Sequence, residues 1–238
     1  MLTHLALFRQ RALLIAILAF VVALVLWNVP QLGFILYPIR LFVTFVHESG
    51  HGLAALISGG HIGSLSVSPD GSGETVTMGG SRLLILPAGY LGAALFGALL
   101  FYATNTVPFP RTISLVLAIG LAAITLLYTS ILSTAWLVGL GSALVLLALW
   151  RLGDRSVNLL VLDVLAILTG LNAVLDLVYV ITNSNASLGT LHNDAAEFSR
   201  EIAPIIPGVV WAILWALIAV AMLGAAVYFS HIRQRRIL

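Results

Sequence analysis

Cysteine is absent from this chain of 238 residues, and lysine is absent as well. Without cysteine the protein can form neither a disulfide nor a thiolate metal site. Charged residues make up only 8% of the sequence and hydrophobic residues 61%, whereas a soluble domain is about 25% charged. Because this small number of charges cannot cover a water-soluble surface, lipid must surround most of the chain. The arginines lie mainly at the ends of apolar runs, which is typical of membrane topology signals and argues against a nucleic-acid partner.

Seven apolar runs approach the roughly 20 residues that a spanning helix needs. They cover residues 12–29, 34–57, 83–104, 112–128, 131–150, 157–181 and 209–228. Residues 61–81 differ, because small, polar and apolar residues alternate around Pro69-Asp70-Gly71, a pattern typical of a β-hairpin. We predict an all-α polytopic membrane protein with about seven transmembrane helices, a short hairpin after the second, and one integral membrane domain over residues 1–238.

The second run contains the sequence His-Glu-Ser-Gly-His from His47 to His51. Residues four apart lie on one face of a helix, so both imidazoles can bind one Zn²⁺ ion. Glu48 lies beside the first ligand, where it can act as general base toward a water that zinc activates. The alternative is a buried polar cluster that pairs helices. Ionisable residues inside a span are costly and usually functional, which favours the metal interpretation.

A catalytic zinc takes three protein ligands, so the third must come from elsewhere in the chain. The candidates are Asp163, Asp176 and Asp194, with His61 and His192 behind them. Asp176 lies deep in the run 157–181, where an unpaired carboxylate is hard to tolerate. If three whole spans separate the second and sixth runs, Asp176 sits at the depth of the two histidines. Asp163 would lie roughly 20 Å away along the helix, nearer the opposite interface. We therefore predict Asp176 as the third ligand and keep Asp194 as the alternative.

These features together resemble the site-2 protease family of intramembrane zinc metallopeptidases. The likeness rests on the motif at 47–51, the glycine-rich hairpin after it, and the later stretch Leu-Asn-Ala-Val-Leu-Asp at 171–176. It runs from about residue 42 to residue 194 and is closest to the compact branch that lacks a PDZ domain. The segment His-Asn-Asp-Ala-Ala-Glu-Phe at 192–198 resembles a tail element of that branch.

The resemblance implies that His47, His51 and Asp176 bind the zinc and that Glu48 is the catalytic base. It also implies that the hairpin accepts an unwound substrate as an added strand. The chain departs from the better-known members, because Leu177 follows Asp176 where they have glycine and because they carry a proline upstream that is missing here.

The function expected from the sequence is that of a membrane-embedded zinc endopeptidase that hydrolyses transmembrane or membrane-adjacent segments, as in regulated intramembrane proteolysis. Its expected partners are a transmembrane protein substrate and the lipid bilayer, and its expected location is a bacterial cell membrane. The alternative is a catalytically silent zinc-binding scaffold or regulator. A transporter with a metal site in its path is a third interpretation, but paired broken helices in matching halves of the chain are not evident.

Overall fold

The structure, a computed structural model, describes residues 2–183 and 193–232. Most of these residues are helical, because in lipid each backbone N–H and C=O group must be satisfied within its own segment. The helices are α1 (Leu2–Asn28), α2 (Gly33–Ile57), α3 (Arg82–Ile85), α4 (Ala88–Thr106), α5 (Pro110–Tyr128), α6 (Thr134–Leu152), α7 (Arg155–Thr182), α8 (Asp194–Glu201) and α9 (Gly208–Val227). A 3-10 turn, Pro30–Leu32, joins α1 to α2, and a π-helical turn, Tyr228–Ile232, follows α9.

Six of the seven predicted spans each fall on one helix, whereas the run 83–104 falls on α3 and α4, which Leu86 and Pro87 separate. The prediction of an all-α polytopic membrane protein is confirmed. Five helices of the described chain, α4 to α7 and α9, are long and apolar enough to cross a membrane. In α1, whose side chains are described from residue 13 to residue 26, the described stretch Leu13–Leu26 is apolar. The 25 residues of α2 include the polar motif at 47–51, which lowers the mean hydropathy of this helix.

The predicted β-hairpin is also confirmed, and it forms the two-stranded sheet of the described residues. Strands β1 (His61–Val67) and β2 (Gly73–Met78) are antiparallel, with His61 opposite Met78 and Val67 opposite Gly73. The turn between them uses Gly71 at φ +94°, a left-handed conformation that glycine adopts without strain. In the described part of the chain, each strand keeps one edge that is not paired with another strand.

The hairpin lies along α2, and two side-chain hydrogen bonds fix it there. The Tyr37 hydroxyl donates to the Pro69 carbonyl at 2.8 Å, and the Thr44 hydroxyl donates to the Gly71 carbonyl at 2.9 Å. Both bonds reach the turn, so the strands run back beside the second half of α2. This arrangement brings β2 next to the motif at 47–51.

Small residues let α4 pack closely between α2 and α7. A Cβ at Gly50 of α2 would meet the backbone of Ala88 at the start of α4. Further along α4, a Cβ at Gly97 would lie 2.7 Å from the Ala166 carbonyl oxygen on α7. Such close backbone approach is the usual role of small residues between membrane helices, and it places the first turn of α4 directly against the motif.

The short helix α8 docks on α9 through aromatic packing. The ring of Phe198 lies 4.6 Å from that of Trp211 and 5.4 Å from that of Trp215, measured between centroids. The Asn193 side chain caps α8 by accepting a hydrogen bond from the Ala196 N–H at 2.9 Å, as Asn often does at a helix start. Cap and packing together hold the first residue of α8, Asp194, at a defined position.

A candidate metal centre between four elements

The two motif histidines point their Nε2 atoms at each other. These nitrogens lie 3.1 Å apart, as the spacing of four residues on one helix face allows. The first turn of α4 closes over them, because a Cβ added at Gly89 would collide with Nε2 of both His47 and His51. The ring of Tyr90 packs edge-on against His47, with the centroids 4.8 Å apart. The histidine pair is therefore held rigidly, and glycine is required at position 89.

The hydrogen bond made by His51 fixes its tautomer. Its Nδ1 lies 2.7 Å from the backbone carbonyl oxygen of Ile85, the last residue of α3. A carbonyl can only accept, so Nδ1 must carry the hydrogen. In the neutral ring the lone pair is then on Nε2, the atom that faces His47. Metal-binding histidines commonly use their second nitrogen in this way.

Asp194 supplies a third ligand atom to the same point. Its Oδ2 lies 3.1 Å from Nε2 of His47 and 3.4 Å from Nε2 of His51. Burial raises the pKa of the Asp194 carboxyl, but the positive charge that the two histidines carry when protonated outweighs burial, and the pKa lies well below its usual range. The group is therefore a carboxylate.

The distances within this triad fit a zinc ion. Bonds of about 2.0–2.1 Å in tetrahedral geometry separate neighbouring ligand atoms by roughly 3.3 Å, close to the three observed distances of 3.1, 3.1 and 3.4 Å. The Asp194 Oδ2 atom is buried and accepts no hydrogen bond within the described residues. Three electron-pair donors that face one another form a favourable site for a cation, so His47, His51 and Asp194 are suited to hold Zn²⁺.

The structure brings Asp194, the alternative third ligand, to the two histidines, and it does not bring the predicted ligand Asp176 into the same group. Asp176 lies on the wall of the same cavity as His47, where its Oδ2 accepts a hydrogen bond of 2.6 Å from Asn172. It is not part of the group of described ligand atoms that lie within 4.8 Å of one another. Asp176 was expected at the depth of the two histidines, and its place in the same cavity as His47 agrees with that. However, α8 brings Asp194 closer to the histidine nitrogens.

The remaining candidates lie elsewhere. Asp163 is fully buried between α7 and α4, where it accepts a hydrogen bond of 2.8 Å from Asn105. His61 begins β1 and is exposed. His192 lies outside the described residues.

Glu48 is buried beside the triad and is held by β2. The Thr75 hydroxyl lies 2.8 Å from Glu48 Oε2 and 2.9 Å from the Glu48 carbonyl oxygen. A Cβ at Gly73 would lie 2.6 Å from Oε1 of the same carboxylate. The start of β2 thus passes directly over the carboxylate, and Thr75 donates a hydrogen bond that orients it.

Two cavities reach the centre from different sides. One of about 470 Å³ is lined by His47, Glu48 and Asp194 together with residues of α7 and the hairpin turn. A second, of about 350 Å³, lies between β2, α3 and α8 and also includes Glu48 and Asp194. The triad and the carboxylate therefore face space that a substrate can occupy.

Sequence reasoning missed several residues that build this site. Gly89, Thr75 and the Ile85 carbonyl carry no motif signal, because a backbone acceptor, a hydroxyl and a glycine are common in any sequence. Asn193 before Asp194 is a recognisable helix start. That signal could have placed Asp194 at a helix start, but it could not show what the helix faces.

Comparison with known proteins agrees with this picture. The family model described as Peptidase M50B-like matches residues 14–226, a range that includes the histidine pair, the hairpin and Asp194. No curated protein and no solved structure matches the chain significantly.

Proposed function

This chain belongs to the peptidase M50B-like family, within the site-2 protease group of membrane metallopeptidases, and we propose that it is a zinc endopeptidase that cleaves transmembrane or membrane-adjacent peptide segments. The observation that carries the proposal is the meeting of two imidazole nitrogens and one carboxylate oxygen at a single point, with a second carboxylate, Glu48, beside them.

The ligands in this proposal are His47, His51 and Asp194. Zinc held there would polarise the scissile carbonyl and lower the pKa of a water molecule toward about 7. Glu48 takes the proton of the attacking water as general base and delivers it to the nitrogen of the leaving amine. Thr75 keeps the carboxylate aimed at the reacting atoms through its hydrogen bond of 2.8 Å.

The substrate binds in extended form in this proposal. Peptide bonds in a helix are shielded by their own hydrogen bonds, so a transmembrane segment must unwind before its carbonyl can reach the centre. Strand β2 pairs with β1 alone among the described strands and passes over Glu48, so its second edge is suited to add a substrate strand. Asn172 and Asp176 line the wall of the larger cavity, where they are placed to contact the bound segment.

Replacement of the base tests this assignment. The variant Glu48→Gln keeps the size of the side chain but cannot take a proton. We expect the purified full chain to retain zinc and to lose cleavage of a reconstituted transmembrane substrate by at least about 100-fold, as removal of a general base does. Asp154→Asn is a matched acid-to-amide control, since this residue caps α7 and asparagine caps equally well.

The same assay separates an enzyme from a silent scaffold. Stoichiometric zinc in the wild-type chain without turnover of any membrane substrate would favour the scaffold. Cleavage by Glu48→Gln at the wild-type rate would refute the proposed mechanism.

A further inference from the structure

The four-residue helix α3 connects two of the proposed zinc ligands: it contacts His51 directly and also contacts α8, the helix that carries Asp194. Its last residue, Ile85, accepts the hydrogen bond that orients His51. Its first residue, Arg82, forms an ion pair with α8, the helix that begins with Asp194. One short element thus connects a ligand on α2 to a ligand on α8.

The contact between Arg82 and α8 is a two-pronged ion pair. Arg82 Nε donates to Glu201 Oε2 at 2.8 Å, and Nη2 donates to Oε1 of the same carboxylate at 2.9 Å. Glu197 approaches Nη2 at 3.5 Å. This planar pairing fixes direction as well as distance, which a lysine cannot do. Hydrogen bonding from Arg82 also lowers the pKa of Glu201, so the carboxylate stays ionised at neutral pH.

Helical geometry links this ion pair to Asp194. Glu201 follows Asp194 by seven residues, which puts both on nearly the same face of α8, about 10 Å apart along the axis. Rotation of α8 about its axis would therefore break the Arg82–Glu201 pair and turn Asp194 away from the histidines together. The packing of Phe198 on Trp211 and Trp215 holds α8 against α9, and Arg82 attaches the polar side of the helix.

We propose that Arg82 and Glu201 are positioning residues that set the rotation of α8 and thereby hold Asp194 in the metal centre. This inference rests on the proposed zinc-peptidase function, because it assumes that Asp194 is a ligand. Neither residue touches the reacting atoms. Their effect reaches the centre only through the orientation of Asp194, so it must be visible in metal affinity as well as in turnover.

The experiment measures zinc affinity of the purified full chain by chelator competition, alongside cleavage of a reconstituted substrate. We expect Arg82→Gln and Glu201→Gln each to weaken zinc binding roughly 3- to 10-fold, less than the roughly 10- to 100-fold for loss of a hydrogen-bond partner of a metal ligand, because the pair is partly exposed. The zinc affinity of Arg82→Lys should lie between that of the two glutamine variants and that of the wild type. The exchange Arg82→Glu with Glu201→Arg should recover most of the lost affinity.

Arg111→Gln is the matched control, since that exposed arginine bonds to backbone carbonyls at the end of α6, on another part of the molecule. It should leave zinc affinity unchanged. Wild-type zinc affinity that depends on Asp194 but is unaltered in Arg82→Gln would overturn this inference and leave the proposed function intact. A wild-type chain that binds no zinc, or binds it independently of Asp194, would overturn the proposed function itself. Loss of affinity that the charge exchange does not restore would also count against the positioning role.

Discussion

Each end of α4 lies near an acidic side chain, Asp194 at the first turn and Asp163 near the last, yet the two ends differ in what surrounds that side chain. At the first turn, Gly89 and Tyr90 contact the histidines that face Asp194. Near the last turn, Asn105 donates to Asp163, whose second oxygen accepts no hydrogen bond within the described residues. The first carboxylate faces two nitrogen lone pairs and two cavities. The second faces an amide and is fully buried.

This difference shows why burial of an acidic residue does not by itself identify a metal site. A carboxylate in an apolar helix bundle is costly wherever it lies, and a single hydrogen bond relieves part of that cost. A metal centre requires several electron-pair donors from separate elements to meet at one point, with room for a substrate beside them. On this criterion, removal of the carboxyl group should lower zinc affinity at the first end of α4 and folding stability at the other.

The largest expected effect is the response of the two carboxylates to removal. Asp194→Ala should weaken zinc binding by more than the roughly 10- to 100-fold that loss of an outer partner costs, because a ligand itself is removed. Asp163→Ala should leave zinc affinity within about twofold and instead lower the free energy of unfolding by about 1–3 kcal/mol, since the Asn105 amide loses its partner. Chelator competition and chemical denaturation of both variants measure these two quantities. Equal loss of zinc affinity in both variants would contradict the assignment of Asp194 to the metal centre and of Asp163 to a structural role.

A smaller but still clear effect is expected at the glycine that closes over the histidines. Gly89→Ala places a methyl group against Nε2 of both rings, so they must move apart and zinc affinity should fall at least about 10-fold. Gly120→Ala on α5 is the control, because nothing lies within 4 Å of its added Cβ and alanine favours a helix by about 1 kcal/mol. Unchanged zinc affinity in Gly89→Ala would show that the rings are not held as tightly as the packing indicates.

An effect of similar size is expected when the orientation of the proposed base is disturbed. Thr75→Val removes the hydroxyl that donates to Glu48 while keeping the shape of the side chain. Loss of a hydrogen bond to a charged group costs about 1.5–3 kcal/mol, so the cleavage rate should fall by roughly 10-fold or more at unchanged zinc affinity. Thr106→Val, which loses a hydroxyl bonded to the Tyr102 carbonyl, should cleave at the wild-type rate. A parallel loss of zinc in Thr75→Val would mean that this contact supports the fold around the centre rather than the base.

Much of the fold followed from local patterns in the sequence. Apolar runs of sufficient length became the helices, and the turn residues around Gly71 became the hairpin, because both signals act over a few neighbouring residues. The pairing of His47 with His51 was predictable for the same reason, since one helical turn determines it.

The position of Asp194 beside the histidines did not follow from the sequence, because it depends on long-range packing. Depth along the membrane normal correctly placed Asp176 near the histidines, in the same cavity. The direction in which α8 returns is set by Phe198 against α9 and by Arg82 at α3. No local pattern encodes those contacts, so the sequence left Asp194 as an alternative.

The central claim is that two imidazoles and the Asp194 carboxylate bind one zinc ion, and X-ray absorption at the zinc edge of the loaded full chain tests it most directly. We predict a spectrum with two imidazole nitrogens and light oxygen donors, altered in Asp194→Asn and unaltered in Asp176→Asn. A spectrum that changes in Asp176→Asn and stays the same in Asp194→Asn, or that contains fewer than two imidazoles, would contradict the account.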